Sequence, residues 1–192
     1  MAGSTRAESL NRKLALAARQ AAGDLGLDAT HIELRDYPLP IYDGDHESQV
    51  GTPPAVVALR TLLKRHDVWL IASPNYNNSI SPLLKNVIDW VSRPSGGDGY
   101  VECFKNRVVI AMSSSDGSSG GARGLPHLRQ ILAHLGARVL DEQFTVPRGS
   151  TAFDATGGLV DLDQRRQLQR LIGAALDAVV RPGAELAGFH AA

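Results

Sequence analysis

Val68-Trp69-Leu70-Ile71-Ala72-Ser73-Pro74-Asn75-Tyr76-Asn77-Asn78-Ser79-Ile80-Ser81-Pro82-Leu83-Leu84-Lys85-Asn86-Val87-Ile88-Asp89-Trp90 is the stretch on which the architecture turns. Its first five residues form an uninterrupted apolar run, the pattern of a strand covered on both faces. Pro and Asn then mark a loop. Ser81-Pro82 opens a helix carrying Leu83, Leu84, Val87, Ile88 and Val91, with proline at an early position where its missing N–H costs nothing. Strand, loop and helix in direct succession make the basic unit of a parallel sheet.

The same alternation extends to both sides. Upstream, the spacing predicts a helix over Ser9–Asp24 with Leu10, Leu14 and Ala17 on one stripe, closed by Gly23 and Gly26. His31–Arg35 alternates and reads as a strand exposed on one face. Asp36–Pro54, with its prolines and glycines, reads as loop, and Ala55–Arg65 as helix. Downstream, Val108–Met112 is a second buried strand. Ala122–Leu135 reads as helix, Arg138–Val146 as strand and Leu159–Val180 as a final amphipathic helix. No internal repeat or linker interrupts the pattern, so residues 1–192 read as a single α/β domain. At 192 residues the chain is long enough for a sizeable core.

Composition narrows the function. Lys+Arg 20 against Asp+Glu 20 leaves no net charge, so the phosphate neutralisation that drives nucleic-acid affinity is missing. No apolar run approaches the roughly 20 residues that span a bilayer, which argues against a membrane protein. The single cysteine, Cys103, excludes an intrachain disulfide and fits a reducing compartment; a cytoplasmic location is expected. The histidines lack zinc-ligand spacing. Asp43, Asp45 and Glu47 lack the offsets of a calcium loop. Ser113–Ser115 contain no nucleophile elbow.

In open parallel sheets ligands bind beyond the carboxyl ends of the strands, which selects three loops. Gly3-Ser4-Thr5-Arg6-Ala7-Glu8-Ser9-Leu10-Asn11 precedes a helix, and free N–H groups there, with a glycine, hydroxyls and an arginine, make a phosphate cradle. Alternatively Ser9 only caps the helix. The loop has neither a Walker lysine nor Gly-x-Gly-x-x-Gly, which argues against ATP and a dinucleotide fold. Pro74-Asn75-Tyr76-Asn77-Asn78-Ser79 offers amides beside an aromatic, suited to the edge and face of a heteroaromatic ring; a plain turn is the alternative. Ser113–Gly121 is Ser/Gly-rich, letting backbone approach a ligand closely, or serving only as a surface linker.

Taken together the chain resembles the NADPH-dependent FMN reductase family, the flavodoxin-like group that includes quinone, chromate and azo reductases. The resemblance rests on Gly3-Ser4-Thr5-Arg6 with Ser9-Leu10-Asn11, on Pro74-Asn75-Tyr76-Asn77-x-Ser79, on Leu84-Lys85-Asn86-Val87-Ile88-Asp89-Trp90, and on Gly120-Gly121-Ala122-Arg123 with Leu128-Arg129. It implies a doubly wound parallel sheet of order 2-1-3-4-5 holding FMN. Ser4, Arg6, Ser9, Leu10 and Asn11 would take the phosphate. Pro74, Asn75, Tyr76 and Asn77 would meet the isoalloxazine ring, with Ser115 and Gly117 at its other edge. NADPH or NADH would reduce the flavin, and a small-molecule electron acceptor (quinone-, azo-, chromate- or flavin-type) would be reduced in turn, in a ping-pong cycle. No catalytic acid or base is implied. The helix over residues 82–92 resembles the family's subunit contact, implying a homodimer or homotetramer. Asn75 stands where many relatives carry Glu, which would leave the pocket less negative.

One departure stands out. Relatives carry an apolar strand directly before Gly-Ser-x-Arg, whereas only Met1-Ala2 precede it here. Without that strand two sheet edges lose partners and the phosphate loop loses its anchor, at about 1–3 kcal/mol per unpaired buried group. The reading expects a native start upstream of Met1. The alternative is a compromised flavin binder. For the function as a whole the alternatives are an FMN-binding electron-shuttle or interaction protein, or a relative that binds no cofactor because that strand is missing.

Overall fold

The computed structural model describes residues 1–180, and within them the first and second sheet positions are where sequence and structure part. The sheet consists of β1 (Val68–Ala72), β2 (Val108–Ser114), β3 (Arg138–Val139) and β4 (Phe144–Val146). All pairings are parallel: β1 runs beside β2, and β3 and β4 share the other edge of β2. The predicted Arg138–Val146 strand is thus one interrupted strand. Its Leu140 N–H still reaches Val109 O at 2.9 Å before the chain bulges and re-pairs at Phe144. Every residue of β2 is buried, as its apolar run requires.

Helices cover both faces. Alternate residues of β2 sort into two cores: Val109 and Ala111 face α3 (Pro54–Lys64), α4 (Pro82–Ser92) and α5 (Leu125–His134). Val108, Ile110 and Met112 face α1 (Leu10–Asp24) and α6 (Leu162–Val180). The result is the doubly wound α/β arrangement. Helix α1 packs through Ala15, Ala17, Ala18, Ala21 and Ala22, small side chains that bring its axis close to the sheet. Its start is set by Ser9, whose hydroxyl accepts from Arg12 N–H at 3.3 Å. Helix α6 starts three residues later than its apolar pattern suggests, because the Asp161 carboxylate accepts from the N–H groups of Asp163 and Gln164 and so sets the cap there. The predicted 122–135 helix divides into a 3-10 turn at Ala122–Gly124 and α5.

Two elements differ from expectation. His31–Arg35 is not a strand; Glu33 is extended and Leu34–Asp36 is a 3-10 turn. A strand there needs a neighbour to pair with, and between it and β1 lie only Met1–Gly3. Asp36–Pro54 is not wholly loop, for α2 spans Gly44–Val50. The Asp43 carboxylate accepts from Asp45 and His46 N–H groups, and Gly51 ends the helix at φ 81°. Local capping outweighed the surrounding prolines.

Met1–Gly3 runs beside β1, on the edge away from β2. Ala2 bridges Ala72 in parallel. Met1 N donates to Leu70 O at 2.8 Å, Ala72 N to Met1 O at 3.0 Å and Gly3 N to Ala72 O at 2.8 Å. The Ser81 hydroxyl adds a bond to Gly3 O at 2.6 Å. The anchor of the first loop is therefore present, against the expectation that it would be lost. The lower half of β1 is less well served: Val68 and Leu70 are only half-buried, so β1 is not covered on both faces along its length.

Candidate functional site

The three loops selected from sequence gather at the carboxyl ends of β1, β2 and β4, and a fourth segment, Pro147–Thr151, joins them. The first loop is built around Gly3, where a Cβ would stand 3.0 Å from Leu84 Cβ and 3.1 Å from Ser81 Oγ, so a larger residue would have to push these neighbours aside. Beyond it the chain turns with Ser4 Oγ accepting from Arg6 N–H at 3.4 Å and Ser9 N–H donating to Arg6 O at 3.2 Å. Among the described residues the N–H groups of Thr5, Ala7, Glu8, Leu10 and Asn11 donate to nothing. Arg6 is exposed, and Arg35 arrives from the opposite side to donate to Thr5 O. Free N–H groups at a helix start beside two guanidinium groups suit an anion. Arg35 was not singled out from sequence, because it lies in the segment read as a strand.

Asn11 has a more specific task than its place in that loop suggests. Its Nδ2 donates to Ser114 O at 2.9 Å and its Oδ1 accepts from Ser114 N–H at 3.0 Å, both buried. The side chain is committed to the end of β2, tying α1 to the sheet, and only its backbone N–H faces the cradle. Leu10 packs on the fourth segment: a Cβ on Gly149 would lie 2.8 Å from Leu10 Cδ1.

The second loop is both a turn and a platform. Tyr76 and Ser79 exchange backbone hydrogen bonds of 2.9 Å each, with Asn77 and Asn78 between them at φ 51° and 63°. Two consecutive left-handed residues make the tight turn that asparagine tolerates. Pro74 is buried beneath, while Tyr76 projects into solvent. Asn75 Oδ1 is buried without a partner, as is Ser113 Oγ at the end of β2. Such orphans within one region mark a place whose polar atoms are held ready for something else.

The third loop is pressed against the second through its glycines. A Cβ on Gly121, at φ 84°, would lie 2.3 Å from Ser113 Oγ, and one on Gly124 2.8 Å from Ser79 O and 3.1 Å from Asn75 Oδ1. His127 Nδ1 and Ser79 Oγ, 3.2 Å apart, add a side-chain link. Ser115 is half-buried, its N–H bonded to Val146 O and its carbonyl accepting from Gly149 N–H. Asp116 accepts from Ser150 N–H at 2.8 Å, a bond that holds its carboxyl below the usual range. Gly117 is open, and a Cβ added there would meet only Ser115 Oγ, at 3.6 Å. Its backbone does not demand glycine, so clearance above the loop is what a side chain would cost.

Cys103 takes no part. It is buried far below the loops and burial pushes its thiol up to about 11. No group of three or more metal-ligating side chains occurs among the described residues.

Comparison with known proteins identifies the family. Residues 1–151 match the family described as NADPH-dependent FMN reductase. The chain is 35% identical over 176 residues to the NAD(P)H-dependent FMN reductase of Pseudomonas aeruginosa, covering 91% of this chain and 90% of that protein. It is 33% identical over 177 residues to an NAD(P)H:quinone oxidoreductase of Solanum tuberosum, covering 90% and 87%. Among solved structures, the flavoenzyme NAD(P)H:(acceptor) oxidoreductase FerB of Paracoccus denitrificans superposes with a TM-score of 0.76 at 29% identity over 94% of each chain. The family match contains the cradle at Ser4–Asn11, the Pro74–Asn77 turn and the glycine-packed third loop, and with them the chain belongs to the NADPH-dependent FMN reductases, a family of oxidoreductases.

Proposed function

We propose that the chain, as one domain, binds FMN across these loops and reduces it with NADPH or NADH for delivery to a small acceptor of the quinone, azo, chromate or flavin type. The observation that carries this reading is the set of undonated N–H groups at Thr5, Ala7, Glu8, Leu10 and Asn11 beside Arg6 and Arg35, in the loop that opens α1. The residues fit the cofactor. The cradle suits a phosphate, with Ser4 and Ser9 setting its curvature and Leu10 with Asn11 fixing it to the sheet. Pro74, Asn75, Tyr76 and Asn77 offer a rigid edge and a flat face for a fused ring, and Ser115 with Gly117 leave room at the opposite edge.

A bound FMN, held by the Ser4–Asn11 cradle and the Pro74–Asn77 turn, would supply the hydride chemistry that links a nicotinamide donor to the acceptor. The chain orients the ring, donates backbone hydrogen bonds to it and excludes water from the ring edge. No side-chain acid or base is needed. Asn75 puts an uncharged amide where a glutamate would add a carboxylate, which favours anionic acceptors.

We place subunit contact at α4. Leu84, Val87, Ile88, Trp90 and Val91 are already buried within the chain. Lys85 and Asp89, paired at 2.7 Å, remain on the surface. The apolar part of such a homodimer or homotetramer would come from the neighbouring Ile41, 86% exposed in the segment whose Pro40 O accepts from Trp90. No described helix is long and apolar enough to cross a membrane; with one buried, free thiol, the cytoplasm suits the chain.

The test is an FMN titration followed by anaerobic NADPH. Saturable quenching of flavin fluorescence and bleaching of the bound flavin near its long-wavelength maximum are expected. Flavin that remains free at micromolar protein defeats the reading, and bound flavin that NADPH and NADH leave oxidised points to an electron shuttle instead.

A further inference from the structure

An arginine reaches the first loop from outside that loop's own sequence. It stands in the Leu34–Asp36 turn, whose position is fixed at three points. Leu34 is buried in the core. Asp36 N–H donates to Glu33 O at 3.0 Å and Tyr37 N–H to Leu34 O at 3.2 Å, which closes the turn. The Glu33 carboxylate accepts from Arg12 Nε at 2.6 Å and so fastens the segment to the first turn of α1. Arg35 is thereby presented to the loop and donates to Thr5 O, while Arg12 donates to Ala7 O at 3.4 Å. Two loop carbonyls thus face guanidinium groups. In a trans peptide the N–H points opposite to the carbonyl, so the undonated Glu8 N–H points away from Arg12.

Charges around the loop do not cancel. Glu33 is matched by Arg12, and Glu8 by Lys13 at 2.9 Å. His31, bonded to the same Glu33 oxygen, is held below its ordinary value by burial and is neutral at pH 7. Arg6 and Arg35 are left without a carboxylate partner among the described residues, for Asp36, exposed at the end of the turn, forms an ion pair with neither. Arg35 uses one N–H on Thr5 O, and its full charge stays at the loop.

We propose that Arg35 is a specificity-determining residue of the flavin site: its unmatched guanidinium, together with that of Arg6, makes the first loop select a doubly charged phosphate monoester over a singly charged or uncharged flavin. The inference rests on the FMN reading and adds to it a residue outside the loop. A phosphate monoester carries about −1.5 to −2 charge at neutral pH. The start of α1 contributes the equivalent of about half a positive charge, and Arg6 brings one more. The second phosphate charge needs a second cation, and Arg35 is the one that the fold delivers. Coulomb attraction needs no direct contact, so Arg35 acts on the ligand from its place against Thr5 O, most strongly at low ionic strength. A mere brace of the loop would act alike on every phosphorylated flavin, whereas charge acts on the difference between one phosphate charge and two.

The experiment uses the full chain at low ionic strength and about pH 8, where the monoester is fully ionised. Quenching of flavin fluorescence gives affinities for FMN, for riboflavin 5′-(methyl phosphate), which keeps the phosphate with a single charge, and for riboflavin. Wild type should bind FMN about tenfold tighter than the methyl ester. In Arg35→Gln, FMN should weaken about tenfold or more, the methyl ester about threefold or less and riboflavin less than about twofold, so that the preference shrinks. Arg35→Lys keeps the charge and should retain most of that preference, and high salt should reduce it in wild type. Equal losses for FMN and its methyl ester in Arg35→Gln, with lysine no better than glutamine, make Arg35 a brace and overturn the proposal. Wild-type FMN affinity in Arg35→Gln overturns it too. In both of those cases the wild-type chain still binds FMN; a wild-type chain that binds none of the three flavins defeats the FMN reading itself and this inference with it.

Discussion

Replacing Asn11 by alanine separates two roles that the first loop allows. The side chain closes two buried hydrogen bonds on the backbone of Ser114, at 2.9 and 3.0 Å. Truncation leaves Ser114 N–H and C=O unpaired in a residue that is 2% exposed. Each orphaned group costs about 1–3 kcal/mol, so the pair sets a range of about 2–6 kcal/mol. A water entering the vacated amide volume recovers part of that, which places the loss near 3 kcal/mol. For a chain of this size that corresponds to a fall in Tm of about 6–12 °C. Because the same bonds hold the start of α1 against β2, flavin affinity should fall as well. Urea unfolding read as a change in midpoint at constant slope measures the first quantity, and fluorescence titration with FMN the second. Asn11→Asp is the companion: it keeps the acceptor for Ser114 N–H but turns a second oxygen towards Ser114 O, so it should be destabilised to a comparable degree. If Asn11→Ala weakens FMN binding with a stability loss under about 0.5 kcal/mol, the residue acts on the ligand directly and the positioning argument is wrong.

Other expectations are as direct. Gly121→Ala places a Cβ 2.3 Å from Ser113 Oγ at φ 84°, so third-loop packing should fail and FMN affinity drop at least tenfold with the secondary structure intact by circular dichroism; wild-type affinity would show that the loop yields. Asn75→Glu adds a carboxylate to the pocket and should lower turnover with chromate relative to a neutral quinone, an unchanged ratio in steady-state assays counting against the electrostatic account. Stability should rise from pH 6 to 8. Burial lowers the Met1 ammonium to about 6 from 8.0, with Glu33 opposing, and burial lowers His31 too, so the unfolded chain binds more protons in that window. The Met1 share amounts to about 2–3 kcal/mol. It is fully present above pH 8 and lost on acidification through pH 6, and acetylating the amino terminus should flatten that part of the profile.

The alternation of apolar runs with capped helices made the doubly wound arrangement legible from residues alone. A continuous apolar strand such as Val108–Met112 has no stable place except between two helical layers, and the loops that follow parallel strands must then share one end of the sheet. That is why Ser4–Asn11, Pro74–Asn77 and Ser115–Gly117 belong together on the sequence alone. Tertiary structure decided what depends on partners distant in sequence. Asn11 became a brace because Ser114 lies beside it, 103 positions away. Arg35 entered the site because His31–Arg35 could not become a strand. A strand is stabilised by hydrogen bonds to a neighbour, and no periodicity within five residues reveals whether that neighbour exists.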